Sequence, residues 1–357
     1  MSQKRKGENL ESENSTRKKE EINKKEDTQS EIIGAIDLLH LQEAKPIDPF
    51  YMDPLNIPSQ NDNISYFDVD HEIPKMIEEE DLKIIETLVD KKSVKIQKGY
   101  YRGETVAMKG IPKPDETIIE KEKEILEILD DKRIVKYYGT IVDRLGKKLL
   151  IIEFLDVNLR DYLFSNLGFT LKKRIHLALE AAKGMRYLHR MKICHLDYKP
   201  ENVMIKLSTM QVKIIDFGFS QQISFKENVM KWARGSSYYM APEIFMKSKF
   251  GFHSDVYSYG ISMVEHIHQR QAYNPENIRS FFEEHKRFFG DFAYNVENDQ
   301  NKLFFYCHHN QRPFLGSEIN DSLRNLIQRC WSGNIKVRPS FSQIIKELKT
   351  ILPQINI

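Results

Sequence analysis

Cysteine is scarce in this chain, and its scarcity removes two classes of protein at once. The three cysteines, Cys194, Cys307 and Cys330, form no CxxC pair, which fits neither a disulfide framework nor a zinc site. No stretch approaches the roughly 18 consecutive apolar residues that a membrane-spanning helix needs, and the opening MSQKRKGENLESE has no apolar leader segment. Charge imbalance is missing too: 54 basic against 52 acidic side chains leave a net charge of +2. Neither a general nucleic-acid partner nor a membrane partner is therefore expected. These absences point to a soluble protein of a reducing compartment, and a cytoplasmic location is the expectation. What is present is 357 residues, 40% of them hydrophobic, enough to bury a substantial core.

Residues 1–30 mix Lys, Arg and Glu with hardly any large apolar side chain, so burial cannot offset the entropy of ordering them and a disordered charged arm is expected. Within it Lys4-Arg5-Lys6 and Arg17-Lys18-Lys19 have the spacing of a bipartite nuclear import signal, although a solvated charge run, common in such arms, is the favoured reading. Residues 31–80 read as an extension and a proline-containing linker. The segment 31–43, EIIGAIDLLHLQE, is apolar enough for a short helix, and Pro46, Pro49, Pro54 and Pro58 follow in a loop.

From Asp81 the pattern changes. LKIIETLV, SVKIQKGYY and ETVAMKG read as strands, ETIIEKEKEILEILD as an amphipathic helix, and IVKYYGTIV and KLLIIEF as strands again. After Asp156 the character is helical: Ile175, Ala178, Leu179, Ala182, Met185 and His189 recur at three- and four-residue steps. ENVMIKL and QVKIIDF are short strands between the helices, and DVYSYGISMVEHI, SLRNLIQRCW and FSQIIKELKTIL are further helices. The pattern predicts an α+β chain with a small strand-rich lobe, about 81–155, and a larger helical lobe, about 156–352.

Three groups of residues carry chemistry. Phosphoryl transfer requires charge neutralisation on the nucleotide, a metal on its phosphates and an oriented acceptor hydroxyl. ETVAMK ends a strand with Lys109, suited to the α- and β-phosphates, and Glu122 lies in the next helix where it can pair with that ammonium. ICHLDYKPENVMI places His195, Asp197, Lys199 and Asn202 at H-x-D-x-K-x-x-N spacing. Asp197 would orient the acceptor hydroxyl, Lys199 would neutralise the γ-phosphate, and Asn202 would hold Mg²⁺. Asp216 opens an Asp-Phe-Gly triplet after the strand VKIID and would hold the bridging metal. Taken singly, each is an ordinary surface charge; their joint order is not.

In these residues the chain resembles the eukaryotic protein kinases over nearly all of 81–352. Ala241-Pro242-Glu243, Arg338-Pro339 and Asp255 of SDVYSYG fit the same family, and KGYYRGETVAMK and CWSGNIKVRPSF are similar to its tyrosine-kinase-like branch. The resemblance implies a two-lobed fold, ATP and Mg²⁺ as cofactors, protein substrates and a role in intracellular signalling, and it sets no oligomeric state. It also implies an ion pair between Glu243 and Arg338. The nucleotide would be lined by Val89, Ile96, Ala107, Lys109, Glu153, Leu155 and Met204. His195 is expected to be a packed structural residue, with Leu126, Tyr137 and Phe217 in the same internal apolar spine. Lys199 two residues after Asp197, with Ser236 where the family has a contacting Thr, resembles serine/threonine kinases rather than tyrosine kinases.

Two departures bear on activity. Val89, Lys91 and Val94 stand where the family's phosphate loop has glycines, and β-branched residues restrict the close backbone approach that glycine permits. Leu196 stands where an Arg normally precedes the catalytic Asp, as in kinases that need no activation-segment phosphate. Two readings stay open: an active kinase, or a pseudokinase that holds ATP weakly and acts as a signalling scaffold.

Overall fold

The computed structural model describes residues 81–355 apart from 92–93, 111–115, 145, 224–234, 248, 286–301, 304–305, 308 and 318. The arm of 1–30, the apolar patch at 31–43 and Ser224 lie outside the described residues.

Three hairpin strands open the fold: β1 (Leu82–Lys91), β2 (Val94–Tyr101) and β3 (Glu104–Gly110). The β2–β3 link is the two-residue turn Arg102-Gly103, both at positive φ (48° and 85°), the backbone that matches the twist of a tight hairpin. Helix α1 (Glu116–Leu126) follows, then β4 (Tyr137–Val142) and β5 (Lys148–Glu153). The strands form one antiparallel sheet in the order β1-β2-β3-β5-β4. Strand alternation gives this sheet two different faces. Val106 and Met108 of β3 pack with Tyr101, Ile141, Leu149 and Ile151 in a small core. Ala107 and Lys109 point to the other face, where their partners Ile152 and Leu150 on β5 share the side that meets α1.

The larger region is built on helices. After β6 (Val157–Asn158) come α2 (Leu159–Ser165), α3 (Leu171–Arg190) and β7 (Ile193–Cys194). Strands β8 (Val203–Lys206), β9 (Gln211–Ile214) and β10 (Gln221–Gln222) are followed by α4 (Pro242–Lys247), α5 (Phe252–His268), α6 (Pro275–His285), α7 (Asp321–Cys330) and α8 (Phe341–Ile351). The starts of α2, α3, α7 and α8 are set by Asn158, Thr170, Asn320 and Ser340, whose side chains accept backbone N–H groups of the first turn. Helix α5 is buried along almost its whole length and packs against α3 and α7. This is the α+β, two-lobed arrangement that the alternating and helical patterns predict. Helices α2, α4 and α6, each of 11 residues or fewer, were not foreseen. All three cysteines are buried and free.

Candidate active site

Lys109 projects from β3 between the two regions. Its Nζ lies 2.8 Å from Glu122 Oε2 on α1 and 2.7 Å from Asp216 Oδ1 after β9. Burial would lower the pKa of the Lys109 ammonium, but the two carboxylates outweigh it and hold it raised. Burial pushes the Glu122 carboxyl up despite Lys109, whereas Lys109 outweighs burial at Asp216 and holds that carboxyl down. Glu122 also accepts the Phe217 N–H at 3.2 Å, so one side chain of α1 grips both the lysine and the Asp-Phe-Gly turn.

The loop after β7 brings together the second group. Asp197 Oδ1 accepts the Ser236 N–H at 2.7 Å, and its Oδ2 lies 2.9 Å from Asn202 Nδ2 and 3.0 Å from Lys199 Nζ. Lys199 also donates to Ser236 Oγ. Asn202 uses its amide nitrogen on the Asp197 carboxylate and main chain, which leaves its side-chain oxygen for a ligand. That oxygen and the Asp216 carboxylate, 35% exposed, are hard oxygen donors of the kind Mg²⁺ takes. The residues present fit such an ion.

His195 is fully buried and spends both ring nitrogens on the main chain: Nδ1 accepts the Asp197 N–H at 3.2 Å and Nε2 lies 3.0 Å from the Ile215 carbonyl. It is a structural histidine, as expected, packed 5.4 Å from the Phe217 ring. Leu126 and Phe217 are buried with it, and Tyr137 packs half-buried against the same core. Leu196 and Asp216 take left-handed backbone angles, φ 64° and 65°, a conformation that costs a non-glycine residue energy and that surrounding contacts must hold. For Leu196 the hold is Asp255 of α5, fully buried, which accepts the N–H groups of His195 at 2.9 Å and Leu196 at 2.8 Å and contacts His189 Nε2 at 2.9 Å.

The residues expected around a nucleotide divide into two sets. Val89 faces Ile96 across the first hairpin, Ile96 faces Lys109, and Ala107 lies on the Lys109 face. Met204 is half-buried on β8 and Leu155 is buried just after β5. Glu153 differs. Its side chain accepts the Lys136 N–H at 2.7 Å and pairs with buried Lys213 on β9 at 2.5 Å, and its own N–H donates to the Lys136 carbonyl at 2.9 Å, so its carboxylate is not directed at a ligand. The Lys213 partner was not foreseen, because neither residue carries a motif. Nor was Arg160, which joins Glu201 of the segment between β7 and β8, Tyr239 and the buried Glu265. The pair foreseen between Glu243 and Arg338 is present and bidentate, with N–O distances of 2.7 and 3.0 Å.

Comparison with known proteins gives one consistent result. The protein kinase domain family matches residues 92–348. The dual specificity protein kinase shkD of Dictyostelium discoideum is 32% identical over 72% of this chain and 33% of its own length. The dual specificity protein kinase shkA of the same organism is 30% identical over 78% of this chain and 51% of its own. The serine/threonine-protein kinase VIK of Arabidopsis thaliana is 31% identical over 72% and 57%. The chain thus spans between a third and somewhat over half of the length of these relatives.

Proposed function

Because the chain belongs to the protein kinase domain family, we propose that it is an active kinase of the tyrosine-kinase-like branch, transferring the γ-phosphoryl group of Mg·ATP to serine and threonine hydroxyls of intracellular signalling proteins. The observation that carries this reading is Lys109 bonded at once to Glu122 and Asp216, because the cation, its partner and the metal-side carboxylate stand assembled. Bound Mg·ATP would supply the transferable phosphoryl group and part of its charge neutralisation.

The chain's own side chains do the rest. Asp197, fixed by Ser236 and Asn202, orients the acceptor hydroxyl and takes its proton. Lys199 stands beside it to counter charge on the transferring group, and Asn202 and Asp216 would hold the metal. Support for Ser and Thr as acceptors is the Lys199 to Ser236 contact, in the residue types of the serine/threonine class. The named relatives include dual specificity kinases, so tyrosine transfer is an outcome to be measured. A cytoplasmic location and the domain limits of 81–352 belong to this proposal.

One observation favours the second reading, a scaffold with weak ATP binding: Val89, Lys91 and Val94 lie in β1 and β2 where glycines would let backbone amides close on phosphate. Incubation of the full chain with labelled Mg·ATP and a mixed protein substrate, followed by phosphoamino-acid analysis, decides between them. Phosphoserine and phosphothreonine are expected. Transfer absent while Mg·ATP leaves the melting temperature unchanged would establish the scaffold, since a ligand of the native state must raise stability.

A further inference from the structure

The β1–β2 hairpin contains a lysine whose place in the register gives it work. Lys91 stands opposite Val94, Val89 opposite Ile96, and Ile96 opposite Lys109 on the next strand. Directly opposed residues share one face of a sheet, as do residues two apart along a strand. Lys91, Val89, Val94, Ile96 and Lys109 therefore line one face, while Asp90 and Lys95 line the other. The first face is the cleft face, because from it Lys109 reaches Glu122 and Asp216. Strand spacing and rise put the Lys91 and Lys109 α-carbons roughly 12 Å apart on this face. Lys91 is exposed, and among the described residues no carboxylate pairs with it.

We propose that Lys91 is a phosphate-binding residue, its ammonium replacing on the β- and γ-phosphates the backbone N–H groups that a glycine loop presents. This inference rests on the nucleotide-binding reading above. Val89 and Val94 hinder close approach of the backbone to a phosphate. A charge on a flexible four-carbon stem needs no such approach, and a charge-assisted bond to phosphate is among the stronger hydrogen bonds. The hairpin thus exchanges short-range dipoles for one mobile charge. Its grip is on phosphate, not on the base, and it weakens with salt.

The test is a binding titration of the full chain with Mg·ATP and, separately, adenosine, at low and high salt. Wild type is compared with Lys91→Ala, Lys91→Arg and Lys95→Ala, the last a lysine of the same hairpin on the opposite face. Lys91→Ala should weaken Mg·ATP binding about tenfold, leave adenosine binding unchanged and flatten the salt dependence. Lys91→Arg should retain the affinity, Lys95→Ala should match wild type for both ligands, and the unliganded melting temperatures should agree. Equal losses in Lys91→Ala and Lys95→Ala, equal losses for ATP and adenosine, or no loss at all would overturn the assignment while leaving the nucleotide site standing. A wild type that binds neither ligand would overturn both.

Discussion

Gly235 is packed so closely on Leu196 that a β-carbon at Gly235 would lie 2.7 Å from the Leu196 carbonyl oxygen. Its φ of 116° is also outside the range that L side chains normally adopt. The next residue, Ser236, supplies the N–H on Asp197 and the hydroxyl on Lys199, so an intrusion here displaces both contacts. Gly235→Ala is expected to lower turnover by about 10- to 100-fold with little effect on Mg·ATP affinity, because the displaced segment lies on the acceptor side. Steady-state kinetics with ATP varied separate the two; an ATP affinity that falls in step with kcat would contradict the placement.

Asp216→Asn removes the carboxylate on the metal side and leaves Lys109 with Glu122. The fold should persist, since little apolar packing is lost, while the divalent-dependent part of ATP binding disappears. The measurement is the rise in melting temperature with Mg·ATP against ATP alone. The two should coincide in the variant and differ in wild type.

Asp197→Asn is expected to behave oppositely, sparing nucleotide binding and slowing phosphoryl transfer by about 10²- to 10⁴-fold, the range for a lost general base. The amide keeps the size of the carboxylate and an oxygen that can still accept the Ser236 N–H. A loss of Mg·ATP affinity as large as the loss of rate would assign Asp197 to the metal side instead.

Stability in acid should depend on Glu243. Burial alone would raise its carboxyl pKa, but Arg338 outweighs burial and holds it down at about 2, from an ordinary 4.5. A folded-state pKa below the unfolded one stabilises fully above about pH 4.5, and the contribution is lost as pH falls toward about 2. The shift corresponds to on the order of 3 kcal/mol. Urea midpoints between pH 6 and pH 3 should therefore fall more steeply in wild type than in Glu243→Gln, with the two curves converging at the acid end. Parallel curves would show that the pair adds no pH-dependent stability.

The residues proposed to meet ligand chemistry were the legible ones, because their types and order are tightly constrained. Lys109 stands with Glu122 and Asp216, Asp197 stands with Lys199 and Asn202, and strands form at the five segments between Leu82 and Glu153 that the sequence pattern marks. Gly235, Arg160 and Lys213 were not legible. Each acts on a partner distant in sequence, Leu196, Glu265 or Glu153, and a local pattern holds no record of such a contact. The direction of the Glu153 side chain was hidden for the same reason: a strand end does not reveal which neighbour takes the carboxylate. Helix α2 was obscured by its length, since seven residues give barely two turns of periodicity to read.

Asp255 anchors the loop that carries Asp197 to α5, the most deeply buried helix, through two main-chain N–H groups and a histidine ring. A loop held in this way takes its timescale from the helix and not from its own short strands. The His195 and Leu196 amides can trade protons with solvent only when α5 itself lets go, so in deuterium exchange they should keep pace with the amides of α5, hours behind those of the exposed β1 strand. The segment proposed to meet the acceptor substrate would then be among the last parts of the protein to open.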